Sequence, residues 1–266
     1  MDNATLQTST PPVLQRSDEH GIAFLTLNRA KQYNALSGAL LSALHAEIDA
    51  IAADTAIRVV VITGAGTAFC AGHDLKEMRA DYSEEKAAAL FKTCSDMMLK
   101  LTRLPQPVIA EVNGMAAAAG CQLVAQCDLA VAADHAKFAV SGINYGLFCS
   151  TPAVPLSRSI TRKRAASMLF TGEFIDAATA LDWGLVNRVT AVADLRAATL
   201  SLAQAIMAKP REAIAMGKAL FYRQLDAGLE AAYRDASTTI TCNFMHPVAA
   251  EGVDAFIEKR PPKWTP

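Results

Sequence analysis

The chain has 266 residues, 52% hydrophobic and 19% charged, with a formal net charge of −1 and an isoelectric point near 6.5. That is a globular composition, long enough to bury a full core as one domain or as one domain with an appendage. It excludes a disordered chain, and the near-neutral charge provides no basic footprint for nucleic acid or an anionic membrane.

The first twelve residues, MDNATLQTSTPP, are polar without an apolar signal core and read as a short disordered tail. Residues 13–27 alternate around a turn at 18–21, which predicts a hairpin. Ser37 is placed to cap a helix whose Leu40, Leu41, Leu44, Ile48 and Ile51 recur at helical spacing. RVVVITG reads as a buried strand, residues 83–101 as a helix, QPVIAEVNG as a second buried strand and CDLAVAAD as a third. Strands alternating with helices make the class α/β. Beyond Ala191 come four helical segments without a strand. The expected organisation is therefore a tail over 1–12, an α/β core over 13–190 and an appended helical region over 191–266. No apolar run is long and uninterrupted enough to cross a bilayer. The six cysteines and five histidines contain neither a CxxC nor an HxxxH pair, so we expect reduced buried thiols, no metal site and a cytoplasmic setting.

One glycine-rich stretch, VVVITGAGTAFCAG, invites comparison with a dinucleotide fingerprint. Phe69 stands where its third glycine belongs, and a phenylalanine there blocks the close helix–strand packing that the fingerprint requires. The residues just beyond, AGHDLKEM, suggest another chemistry. Ala71-Gly72 permits a tight bend at His73, and Asp74 is placed to cap the next segment. In NGMAAAAGCQLVAQCD, a strand end leads into a helix start walled by methyl groups, where amides are free and the helix dipole is positive. Two converging backbone donors make an oxyanion hole worth about 3 kcal/mol per donor in a transition state. The other reading of the same alanines is tight helix–strand packing.

Five stretches in order, LNRAKQYNALS, VVVITGAGTAFCAGHDLKEM, PVIAEVNGMAAAAGCQLVAQCDLAVAADHAKF, LFTGEFIDAATALDWGLVNRV and EGVDAFIEKRPPKW, resemble the signatures of the enoyl-CoA hydratase/isomerase (crotonase) superfamily. AGHDLKEM, GCQLVAQCD and GLFCSTP together are most similar to its branch of enoyl-CoA hydratase domain-containing protein 3. The resemblance implies a spiral of ββα repeats, a C-terminal helical region that builds trimers or dimers of trimers, and an acyl-CoA ligand with no further cofactor. It assigns the oxyanion donors to the amides of His73 and Ala119. It places Lys31, Gln32, Tyr33, Ala71 and Lys76 along the nucleotide end of CoA, with Lys259 reaching toward the phosphates across a subunit interface.

Hydratases of that family use two glutamates to position water and move its proton. Their places here hold Gln122 and Gly142, and the place of a carboxylate used by other branches holds Ser150. None of the three can act as an acid or base. Two functions are open: an enzyme whose oxyanion hole stabilises an enolate, with ordinary hydration slow, or a non-catalytic acyl-CoA-binding or assembly protein of the same fold. Among other side chains, the His73 imidazole faces either the acyl pocket or a structural partner, and Asp74 is read as holding the loop.

Overall fold

The computed structural model describes residues 11–264. Apart from Pro11 and Pro12, the tail expected over 1–12 lies outside the described residues.

Strands β1 (Leu14–Glu19) and β2 (Ile22–Leu27) form the hairpin. Its two-residue turn places both His20 (φ 51°) and Gly21 (φ 83°) in the left-handed region, which matches the twist of the strands. A 3₁₀ turn at Ala30–Gln32 leads to α1 (Gly38–Ala53), whose first turn is capped by the Ser37 hydroxyl accepting from the Leu40 amide at 3.2 Å. Strand β3 (Val59–Gly64) is buried along its whole length. After Gly66 the chain enters a second strand, β4 (Ala68–Cys70), with Phe69 fully buried. The dinucleotide reading therefore fails on element type as well as on residue.

Helices α2 (Leu75–Ala80) and α3 (Glu84–Arg103) come next, capped by Asp74 and Ser83. Then β5 (Val108–Val112), β6 (Met115–Ala117) and α4 (Ala119–Gln126) repeat the strand–strand–helix unit, and β7 (Leu129–Ala133) and β8 (Lys137–Ala139) begin another. The chain continues through α5 (Ser150–Ser159), α6 (Arg162–Thr171), β9 (Ile175–Asp176), α7 (Ala177–Trp183) and β10 (Arg188–Thr190). It ends in α8 (Leu195–Met207), α9 (Arg211–Leu225), α10 (Leu229–Phe244) and α11 (Pro247–Ile257).

Each repeat contributes one strand to a six-stranded sheet ordered β1-β2-β3-β5-β7-β10 and one to a four-stranded sheet ordered β4-β6-β8-β9. Successive units thus wind as a spiral with two walls. The strands β4 and β6 pair in parallel, Cys70 opposite Ala116, and this brings the turns after both strands to one edge. The main core fills the space between the walls and α1, α3 and α4. A second apolar cluster, Phe24, Val59, Val61, Ile109 and Val131 with Leu195 and Ala203, seats α8 on the outer face of the large sheet.

Helix α9 is fixed by one buried cation. Lys218 donates to Asp128 at 2.6 Å and to the Leu101 and Gln106 carbonyls at 2.8 and 2.9 Å. Asp128 also accepts from Tyr222 at 2.7 Å and from the Val108 amide at 2.6 Å. Burial holds the ammonium below its ordinary pKa, and Asp128 opposes that shift. Helix α10, by contrast, buries no residue and exposes Leu229, Tyr233, Ile240 and Phe244. Because removal of one partner strands a buried charge, Lys218→Met is expected to cost about 3–5 kcal/mol in chemical denaturation. A cost under about 1 kcal/mol would show that α9 is held by apolar contacts alone.

Candidate active site

The 3₁₀ turn and the segment after β4 are laced together. The Ala71 amide donates to the Tyr33 carbonyl (2.9 Å), the Leu36 amide to Gly72 (2.7 Å) and the Asp74 amide to Leu36 (3.2 Å). Asn34, fully buried, secures the turn by donating to the Ala65 and Ala68 carbonyls at 2.9 and 2.7 Å and accepting from the Arg29 amide. In this parallel bridge the Gly72 carbonyl and the Asp74 amide do the pairing with Leu36, so the amide of His73 itself points to the other side.

On that other side stands the start of α4. A methyl group on Gly72 (φ 97°) would lie 2.9 Å from the Ala118 Cβ and 3.2 Å from the Ala119 nitrogen, so the two turns touch. Gly120 brings the helix this close, because a Cβ there would sit 2.0 Å from the Cys70 carbonyl oxygen. Ala119 opens the helix, where the first amides have no carbonyl behind them. Among the described residues neither the His73 nor the Ala119 amide donates a hydrogen bond. Two free donors on touching turns, one at the positive end of a helix, favour a partial negative charge between them.

The backbone is strained to reach this arrangement. Ala118 has φ 48° and ψ −117°, a region that is easy only for glycine and costs an alanine about 1–3 kcal/mol. Its amide is tied to the Ala139 carbonyl at 2.9 Å, which holds the strained turn in place. Nothing in the residue type alanine announces that conformation.

Asp74 holds the loop, as expected from its position. It accepts from the Lys76 and Glu77 amides at 3.1 and 3.2 Å and pairs with Arg29 at 2.9 Å. Arg29 also donates to the Ala35 carbonyl. The Arg29 hydrogen bond, with help from the Glu77 and Lys76 amides, holds the Asp74 carboxyl below its ordinary pKa. The side chain of His73 packs edge-on to Phe91 of α3 with ring centroids 5.6 Å apart. Its ring nitrogens are buried, and among the described residues neither makes a well-formed hydrogen bond. Burial lowers the imidazole pKa, offset in part by the Leu36 carbonyl.

Gln122 lies in the first turn of α4, 3% exposed, its Oε1 buried with no donor among the described residues. Gly142 lies in a 3₁₀ turn, Ser141–Tyr145. A Cβ at Gly142 would meet the Leu147 carbonyl oxygen at 2.5 Å and the Cys149 Sγ at 2.8 Å, and its amide already donates to that sulfur at 3.3 Å. The space beside Gly142 is therefore closed by a folded loop, and a glutamate at that position requires the loop to rebuild. Burial raises the Cys149 thiol pKa and drives that of Cys121 to about 12, so neither is a ready nucleophile. Ser150 opens α5, and its hydroxyl donates to the Phe148 carbonyl at 3.3 Å.

Lys31, Gln32 and Tyr33 are exposed on the 3₁₀ turn directly beside Ala71, and Lys76 is exposed on α2 of the same loop. Lys259 is exposed beyond α11, and among the described residues no hydrogen bond or ion pair joins its side chain to the others. Sequence reasoning misses the contributions of Arg29, Asn34, Phe91 and Cys149. Arg29, Asn34 and Cys149 stand within the quoted stretches, yet nothing in a stretch shows which residue each meets once the chain has folded.

The enoyl-CoA hydratase/isomerase family model matches residues 17–266. Enoyl-CoA hydratase domain-containing protein 3, mitochondrial, of Xenopus laevis is 43% identical over 99% of this chain and 90% of its own. An enoyl-CoA hydratase from Mycobacterium smegmatis has a crystal structure that superposes with a TM-score of 0.94 at 57% identity, covering 95% of this chain and 99% of that one. The human enoyl-CoA hydratase domain-containing protein 3 superposes with a TM-score of 0.91 at 42% identity, covering 95% of this chain and 100% of that one.

The lowered pKa of Asp74 sets a pH dependence. Its stabilisation is fully present above the unfolded carboxylate value of about 3.9 and is lost as pH falls through the lower folded value. Asp74→Ala is expected to cost about 1–2 kcal/mol in urea denaturation at about pH 6, with the gap from the parent chain narrowing below about pH 4. A gap that stays constant down to about pH 3 would remove the ion pair and cap from the account.

Proposed function

This chain belongs to the enoyl-CoA hydratase/isomerase family, and on that premise we propose that it binds an acyl-CoA thioester with the carbonyl oxygen between the amides of His73 and Ala119. The observation that carries the reading is the pair of free amides on touching turns. The methyl-sized wall of Ala117, Ala118 and Ala119 supports it by giving an acyl group room beside them. Lys31, Gln32, Tyr33, Ala71 and Lys76 are offered as the contact strip for the nucleotide half of CoA, the ligand being a substrate and not a resident cofactor.

Held there, a thioester carbonyl is polarised and an enolate formed from it is stabilised, by about 3 kcal/mol per donor. The proton transfers of hydration lack their carboxylates, since Gln122 and Gly142 occupy both places. Each such group contributes about 10²–10⁴-fold, and the two effects do not simply multiply, so the barrier is raised by about 3–8 kcal/mol. Ordinary hydration is accordingly very slow. The closed loop over Gly142 favours the second reading as well, a binder that keeps the thioester site without the hydration chemistry.

The exposed apolar face of α10, with Phe256 and Ile257 of α11, supports a homotrimer or a dimer of trimers, in which Lys259 of one subunit serves its neighbour. Among the described residues no helix is long and apolar enough to cross a membrane. We place the protein in the cytoplasm on the strength of its free cysteines; the Xenopus relative's name specifies mitochondria for that protein.

Two measurements test the proposal. Calorimetry with butyryl-CoA is expected to show saturable binding, and absence of binding would overturn the ligand assignment. Crotonyl-CoA hydration is expected at least about 10³-fold slower than in a two-glutamate hydratase assayed alongside, and comparable turnover would overturn the account of the missing acids. Sedimentation of the same sample is expected to give three or six chain masses, and a monomer would remove the role of Lys259.

A further inference from the structure

An amide N–H and the carbonyl before it belong to one planar trans peptide group, so the two point in opposite directions. The His73 N–H therefore shares its plane with the Gly72 carbonyl, and whatever holds that carbonyl aims the donor. What holds it is the Leu36 amide, 2.7 Å away. The Leu36 N–H in turn shares its peptide group with the Ala35 carbonyl, and that oxygen accepts from the Arg29 guanidinium. Two peptide groups hydrogen-bonded in series thus connect a cation to the free amide of His73.

Each bond in such a series polarises the next, by about 10–30% in condensed phases. A charged donor at the head makes the first bond stronger than a neutral amide would. Ala35, Leu36 and Gly72 are buried, so water does not screen the series. The other donor is backed differently. The Ala119 N–H shares its peptide group with the Ala118 carbonyl, which accepts from the Gln122 amide at 3.0 Å. The helix ladder thus does for Ala119 what Arg29 does for His73. The guanidinium is fixed by its pair with Asp74 at 2.9 Å, and the Arg29 amide donates to the Asn34 side chain at 2.9 Å. Holding the loop requires only the pair with Asp74, and the bond to Ala35 is additional. Resting on the acyl-CoA reading above, we propose that Arg29 is a positioning residue of the thioester site. It orients and polarises the His73 amide through the Ala35–Leu36 and Gly72–His73 peptide groups.

The test compares two variants that both break the ion pair, of which only one breaks the series of peptide groups. Infrared difference spectra record the ¹³C-labelled thioester carbonyl of bound butyryl-CoA in the parent chain, in Arg29→Met and in Asp74→Ala. Only ligand on folded protein gives a bound band, so partial unfolding weakens the band without moving it. In Arg29→Met the band is expected to return toward its frequency in water by at least about 10% of the parent's displacement. In Asp74→Ala it is expected to stay closer to the parent's position. Should the methionine variant not fold, Arg29→Gln also removes the cation and is read the same way. An unmoved band in the Arg29 variant, or equal movement in both variants, overturns the proposal and leaves Arg29 only the loop to hold. A parent band displaced from water that ignores the loss of Arg29 sinks this inference alone. A parent chain that does not bind butyryl-CoA, or leaves its carbonyl at the frequency found in water, removes the acyl-CoA reading with it.

Discussion

The arrangement rests on a close approach of main chain to main chain. Strands β4 and β6 pair in parallel for only a few residues, and the chain leaving each of them turns toward the same edge. Gly72 and Gly120 carry no side chain at the two points where a methyl would collide with the opposing turn. What remains is a pair of amides, His73 and Ala119, without acceptors among the described residues for different reasons. One faces away from the ladder that its neighbours form with Leu36, and the other opens a helix. The strained Ala118 shows that this geometry is enforced by its surroundings, since an alanine left to itself avoids that conformation.

Preorganised amides and proton-transferring side chains are separable parts of such a site. The amides come from backbone, so substitution leaves them in place as long as the turns hold. Proton-transferring acids are side chains, and a single substitution removes one. Position 122 keeps the shape of a glutamate without its charge. At position 142 the loop has closed, with a carbonyl oxygen and a thiol filling the space a side chain would take. The family's fold thus persists here with two free amides on touching turns and no carboxylate at position 122 or 142, which is why membership of the family and the reaction performed are separate questions.

Local devices are legible in the amino-acid sequence alone. Ser37 and Asp74 cap the helices they precede, and the alternation in residues 13–27 marks a hairpin, because caps and turns depend on neighbouring residues only. The three-residue strands β4, β6 and β8 are not legible, since stretches as short as AFC, MAA and KFA carry neither period. Met115–Ala117 reads as the entry to a helix and instead pairs with β4 and β8. Four C-terminal segments share an amphipathic pattern, yet α8 covers the sheet while α10 buries nothing. A pattern shows that a face is apolar without showing what it meets. The site divides the same way: the motif names the two donors, while the Arg29–Asp74 pair, 45 residues apart, and the plug over Gly142 exist only through folding.

Convergence of two amides on one oxygen is open to direct spectroscopic measurement. Isotope-edited infrared difference spectra of bound butyryl-CoA, labelled with ¹³C at the thioester carbonyl, report the polarisation of that bond. The account predicts a single carbonyl band moved to lower frequency than in water, where the oxygen already accepts hydrogen bonds. A bound carbonyl at or above its frequency in water would mean that the amides of His73 and Ala119 do not meet the ligand, and the site would have to be sought elsewhere on the molecule.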